Sequence, residues 1–192
     1  MQNDPDERLM LKYQAGDKQA MEELIARYKN PVYRFAVRLL RNSTEAQDIA
    51  QEVFLKVHNA RMTYKATGKF STWIFSITHH ACISRLRKNK WTISWPVFKN
   101  DPNVPMDVDS ADPSPDEEAS HKEMRTIVKD CIHDLPLLQK EILILREYEN
   151  LDYEEIAKII KKPLGTVKSL IHGARQLLKE KLLPYVDEGG YS

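Results

Sequence analysis

Between Pro96 and Pro115 the chain holds five of its ten prolines, and residues 101–118 carry seven acids and no base. A segment of that composition cannot bury enough apolar surface to offset the entropy of ordering it. It reads as a flexible acidic linker over 95–118, so the chain is expected to fold as two bodies, 1–94 and 119–192. Each is small, but 42% apolar residues overall suffice for two cores.

The patterns on either side are helical, and the expected fold class is all-α. Leu9, Met10 and Tyr13 open a first helix that Gly16-Asp17 breaks. Asp17 can cap a second, bearing Ala20, Met21, Leu24, Ile25 and Tyr28. Asn30-Pro31 is expected to restart the chain in a third, with Val32, Phe35, Ala36, Leu39 and Leu40 inward. Asn42-Ser43-Thr44 is a cap cluster, and Thr44 with Gln47 makes a possible capping box. The helix that follows buries Ala46, Ile49, Ala50, Val53 and Val57 and turns Glu45, Asp48, Gln51 and Glu52 outward. That acidic and amide face fits a solvated surface and a partner surface equally.

Arg61–Phe70 is a polar loop. Ser71 or Thr72 can cap the next helix, whose expected inward stripe is Ile74, Ile77, Ala81 and Leu86. Trp73 and Phe75 lie near its start, and Arg85, Arg87, Lys88 and Lys90 crowd its end. Rings beside cations suit a reader of single-stranded nucleic acid, because bases stack while cations hold phosphates. Trp73 taken alone reads as packed core; the basic tail reads as nucleic-acid surface.

In the second half a helix resumes near Glu117 with Met124, Ile127, Val128 and Cys131 on one face. Asp134-Leu135-Pro136 starts another, bearing Leu138, Ile142 and Leu145. Asp152 and Glu155 can open a short helix with the stripe Ile156, Ala157 and Ile160, and Lys162-Pro163-Leu164-Gly165 stops it. Thr166 can cap a last helix, striped by Val167, Leu170 or Ile171, Ala174 and Leu178. Two short helices about a tight turn describe a helix-turn-helix, whose second helix enters the DNA major groove. From Lys158 to Lys181 there are seven Lys/Arg and one acid, the charge such a unit needs. Pro184 and Gly189-Gly190 are expected to end the ordered chain.

Overall charge points to a conditional binder. Twenty-nine bases against 28 acids leave +1, far from the excess of a protein that coats nucleic acid. Cys82 and Cys131 sit among apolar residues outside any C-x-x-C pair, which fits two buried thiols in a reduced cytosol. No cofactor or metal site is expected. No apolar run approaches the ~18 residues of a membrane helix, and the N-terminus lacks a signal-peptide core, so a cytoplasmic location without membrane insertion is expected. Nor does any catalytic carboxylate pair or Ser/His set stand out, and the expected role is non-enzymatic.

These motifs resemble the extracytoplasmic-function group of the sigma-70 family, promoter-specificity subunits of bacterial RNA polymerase. The resemblance rests on Asp48–Val57 (DIAQEVFLKV) and Phe70–Ile77 (FSTWIFSI) in the first half. In the second it rests on Leu135-Pro136, Leu145-Arg146-Glu147, Tyr153 to Ala157, and Pro163–Ser169 (PLGTVKS). It implies that Asp48, Gln51, Glu52 and Phe54 dock on the clamp helices of the polymerase largest subunit. The loop Arg61–Phe70 would capture a base extruded from the −10 element. Lys65, Lys69, Trp73, His79, His80, Arg85, Arg87 and Lys88 would hold that element's melted strand. Lys162, Thr166, Lys168, Ser169, His172 and Arg175 would read the −35 element, with the second domain leaning on the flap of the second-largest subunit. The linker would thread the polymerase channels, an anti-sigma factor would hold the protein inactive, and the regulon would answer stress or the cell envelope.

The chain departs from the family in places. Ser169–Arg175 reads SLIHGAR where the family has Ser-Arg-Leu-x-Arg-Ala-Arg, so Leu170 and Gly173 replace arginines. His80 and Ser84 stand where asparagine and aspartate are common. Two rival readings are a stand-alone helix-turn-helix regulator, which needs a dimer, and a nucleic-acid enzyme, which needs a metal.

Overall fold

The computed structural model describes residues 5–92 and 115–187, all helix and connecting turn. The helices are α1 (Asp6–Gln14), α2 (Lys18–Leu40), α3 (Ser43–Ala60), α4 (Phe70–Thr92), α5 (Pro115–His133), α6 (Leu137–Glu147), α7 (Tyr153–Ile160) and α8 (Leu164–Asp187). A single 3-10 turn, Arg61–Thr63, follows α3. The chain divides into two compact units, Met1–Val104 with Glu154–Lys162, and Pro105–Tyr153 with Pro163–Ser192. The linker expected over 95–118 lies outside the described residues up to 114; its last four residues form the first turn of α5. The expected boundaries put all of α7 in the second body, whereas this division groups most of it with the first.

In the first unit α1 to α4 close around one core. Leu9 and Met10 of α1, Leu24, Val32, Phe35 and Leu39 of α2, Ile49, Val53 and Val57 of α3, and Ile74 of α4 are all buried. Phe35 meets Phe75 edge-on with ring centres 5.8 Å apart, and Tyr28 meets Phe70 likewise at 5.2 Å.

Several helix boundaries differ from expectation. Asp17 does cap α2, accepting from the N–H groups of Gln19 and Ala20, and Gly16 takes the left-handed turn with φ +106°. Asn30-Pro31 does not restart the chain, because α2 runs straight through Pro31. An interior proline costs about 3 kcal/mol. Burial of Tyr28, Val32, Phe35 and Leu39 on one continuing stripe, at about 1.5–3 kcal/mol for each large side chain, outweighs that. The capping residue of α3 is Asn42 rather than Thr44: its side chain accepts from Glu45 N–H at 2.9 Å. Arg41 ends α2 in the left-handed region at φ 52°, so the chain turns and restarts at once.

Helix α4 begins at Phe70, which leaves Ser71 and Thr72 inside its first turn instead of capping it. Phe75, Thr78 and Cys82 join Ile74 and Ala81 in burial, while Ile77 and Leu86 are half-buried.

In the second unit Ile132, Leu135, Leu143 and Ala174 form a core on which Val128, Tyr148, Leu177 and Leu178 pack. Helix α6 is buried nearly all round, with Ile142, Leu143, Ile144 and Leu145 all inside. At the end of α7, Lys161 takes the left-handed position at φ 54°, and Lys162 N–H donates to the Ala157 carbonyl at 3.1 Å. That six-to-one bond is a Schellman closure made without glycine. The stop expected over Lys162–Gly165 is thus shorter than expected and Thr166 does not cap the last helix: α8 starts at Leu164, Val167 N–H donates to the Pro163 carbonyl, and Gly165 and Thr166 lie within the first turn. Nor does Pro184 end α8, which continues to Asp187; Gly189-Gly190 lies outside the described residues. Cys82 and Cys131 are buried thiols, as expected.

Candidate nucleic-acid interface

The first unit builds a cavity out of the polar loop. Residues Thr63, Tyr64, Lys65 and Lys69 from the loop face Trp73 and Ser76 from the first turns of α4 around a space of about 550 Å³. An internal turn, Thr67 N–H to the Lys65 carbonyl at 2.8 Å, folds the loop over, and 65–69 are all exposed. Behind it Tyr64, Phe70 and Trp73 form an aromatic cluster, with ring centres 4.9 Å apart for Tyr64–Trp73 and 5.6 Å for Phe70–Trp73. Trp73 is only half-buried: one part packs in the cluster and the rest lines the cavity. Burial, then the nearby Glu7 and Asp6 carboxylates, push the Tyr64 phenol up to about 12. It is neutral at any ordinary pH.

The other expected −10 residues continue along α4. His80 is exposed and its Nδ1–H donates to the Ser76 carbonyl at 2.6 Å; His79 is half-buried, its ring edge-on to His80. Arg87 and Lys88 are exposed. Arg85 faces α3 instead, 3.7 Å from Asp48 and 4.0 Å from Glu45, which also accepts from Asn89 at 3.0 Å.

Asp48 and Gln51 are exposed on α3, Glu52 pairs with Lys56 at 2.6 Å, and Phe54 is half-buried. Leu55, which belongs to the same helix and was not expected as a contact, is 64% exposed. An apolar side chain that far out beside acids and amides is what a partner face presents.

Lys162, which ends the first unit, is exposed; in the second unit Lys168, Ser169, His172 and Arg175 are exposed and Thr166 half-buried, while Val167, Ile171 and Ala174 turn inward. Helix α8 therefore presents one polar and basic face. Arg175 donates to Glu147 at 2.7 Å, and that bond, then the carboxylate charge, raises its pKa further. Gly173 is half-buried with Gln139 Nε2 3.2 Å from where a Cβ would sit. Among the described residues no group of three or more His, Cys, Asp or Glu could hold a metal ion, and no helix is long and apolar enough to cross a membrane.

Comparison with known proteins agrees with this geometry. A family model described as sigma-70 region 2 matches residues 24–92, and one described as sigma-70, region 4 matches 125–178. The RNA polymerase sigma-H factor of Pseudomonas aeruginosa is 30% identical over 190 residues, spanning 95% of this chain and 96% of that protein. The ECF RNA polymerase sigma-E factor of Haemophilus influenzae is 32% identical over 187 residues, spanning 93% and 96%. Among solved structures, CnrH in complex with the cytosolic domain of CnrY superposes with a TM-score of 0.70 at 18% identity, over 93% of this chain and 97% of that one. RpoE in complex with the anti-sigma factor NepR from Bartonella quintana gives 0.63 at 21%, over 84% and 95%. At those identities the two structures speak for the fold.

Proposed function

Because the chain belongs to the extracytoplasmic-function group of the sigma-70 family and is a sigma factor for transcription initiation, we propose a division of labour between its parts. Residues 1–94 dock on the polymerase clamp and read and melt the −10 element. Residues 95–118 tether, and 119–192 read the −35 element and lean on the flap. The spans of the two family models support those bounds. The protein works in the cytoplasm, as a binding subunit whose nucleotide chemistry is the polymerase's.

The observation that carries this reading is the cavity of the loop, edged by Lys65 and Lys69 and backed by Tyr64 and Trp73. Extruding a base from duplex costs a few kcal/mol. Stacking on an aromatic wall returns about 1–3 kcal/mol per base, and lysines on phosphates add salt-sensitive affinity. Neither contact is sufficient for the free subunit. Held by polymerase at promoter spacing, the two DNA contacts become one intramolecular event. The face of Asp48, Gln51, Glu52 and Leu55 on α3 is the docking surface. NepR's association with RpoE, a structure of the same fold, is the reason to expect an anti-sigma partner here.

The test is transcription from a random promoter library by core polymerase with and without this chain. Selection of a −35/−10 pair only when the chain is present supports the proposal. A stable dimer that binds a palindrome without polymerase would replace it with the stand-alone regulator.

A further inference from the structure

Helix α1 lies outside the segment that the region 2 family model matches, 24–92, yet its side chains hold both ends of the cavity loop. Gln14 Nε2 donates to the carbonyls of Arg61 at 2.8 Å and Tyr64 at 3.3 Å, where the 3-10 turn passes into the loop. At the opposite end of the same helix, Glu7 Oε1 accepts at 2.6 Å from the N–H of Phe70, 63 residues further along the sequence. That N–H is the first of α4, and Ser71 and Thr72 follow it inside the first turn. A carboxylate from α1 thus caps α4, a charge-assisted bond at the positive end of a helix. Between them Tyr13 bonds His58 at the end of α3.

Helix α1 is itself anchored. Leu9 and Met10 are buried, and Asp6 accepts from both Arg27 and Tyr28 of α2. The two bonded ends of the loop, Arg61–Tyr64 and Phe70, are therefore fixed to a packed element, with the exposed stretch 65–68 between them.

We propose that α1 is the positioning element of the base-capturing loop, with Gln14 and Glu7 as positioning residues that hold its two ends apart before DNA arrives. The benefit is preorganisation: a loop ordered in advance does not spend binding free energy on ordering itself around the extruded base. This rests on the reading of the loop as a base-capture site, and the experiment separates the two.

Holoenzyme is assembled from core polymerase and the full chain, and binds a partly single-stranded form of its selected promoter. An abasic site is placed at each −10 position in turn. For the unaltered chain one position, that of the captured base, should cost about tenfold in affinity, within the range set by base stacking. Gln14→Glu keeps the shape and removes the donor; Glu7→Ala removes the cap. Each should shrink that one penalty to roughly threefold or less while leaving penalties elsewhere and core affinity unchanged, because only the prearranged loop is disturbed. Gln14→Lys restores a donor and should restore the penalty.

If the penalty stays at about tenfold in Gln14→Glu and Glu7→Ala, α1 does not position the loop and the inference fails alone. Uniform loss at all positions with a lowered Tm would make the contacts merely structural and also overturn it. If no position carries a penalty in the unaltered chain, base capture itself fails and takes the inference with it.

Discussion

Tyr64 places a hydroxyl in the interior with no hydrogen-bond partner among the described residues, and its pKa is pushed up to about 12. Leaving such a group unpaired costs about 1–3 kcal/mol, so Tyr64→Phe should be neutral to stabilising at pH 7 in urea unfolding. The sign with pH follows from linkage. A folded pKa above the unfolded value of 10 gives stability that is complete below pH 10 and lost as pH rises through about 12. Tyr64→Phe should therefore lose less stability than the unaltered chain across that alkaline window. Gly173 poses the opposite question. Glycine within a helix costs about 0.8–1.0 kcal/mol against alanine, but a Cβ would stand 3.2 Å from Gln139 Nε2. That neighbour is the far end of a flexible side chain. Gly173→Ala should raise the midpoint of thermal unfolding, by less than the full propensity gain.

For the elements, the decisive contacts are those that compete with the expected partners. Arg175 of α8 is held by Glu147 of α6 at 2.7 Å. Both are about half exposed, so the pair is worth little to stability. If Arg175 reads the −35 element as proposed, Arg175→Ala should reduce promoter affinity and flatten the salt dependence by about one counterion, whereas Glu147→Gln should raise affinity by freeing the cation. Filter binding across a salt series measures both, and an unchanged slope for Arg175→Ala would remove that residue from the interface. Arg85 is drawn likewise toward Asp48 on α3, which no helical-wheel reading of α4 alone could reveal.

Across the whole molecule a net charge of +1 makes the free chain a poor match for a polyanion, so affinity has to come from assembly. The face of α3 with Leu55 64% exposed is the surface we propose for that assembly. Leu55→Asp should leave the Tm near its original value, because nothing buried is altered. It should weaken core-polymerase binding by at least about tenfold, as loss of a central apolar anchor does. Equal binding of Leu55→Asp and the unaltered chain would move the docking face elsewhere.

Local chemistry and period were enough to read much of this. The stripes of α3 and α8, the Asp17 cap, the two buried thiols and a basic helix after a tight turn were all legible, because each depends on residues within one or two turns. So was family membership, which follows from short motifs in order. The misread boundaries share one cause. Pro31 passes inside α2 because burial along the whole helix outweighs one lost hydrogen bond. The cap of α4 could not be found among Ser71 and Thr72 because it is Glu7, 63 residues away. Gln14, Tyr64 and Leu55 have no local signature either: what each does depends on neighbours, or on an absence of neighbours, that exist only once distant helices have packed.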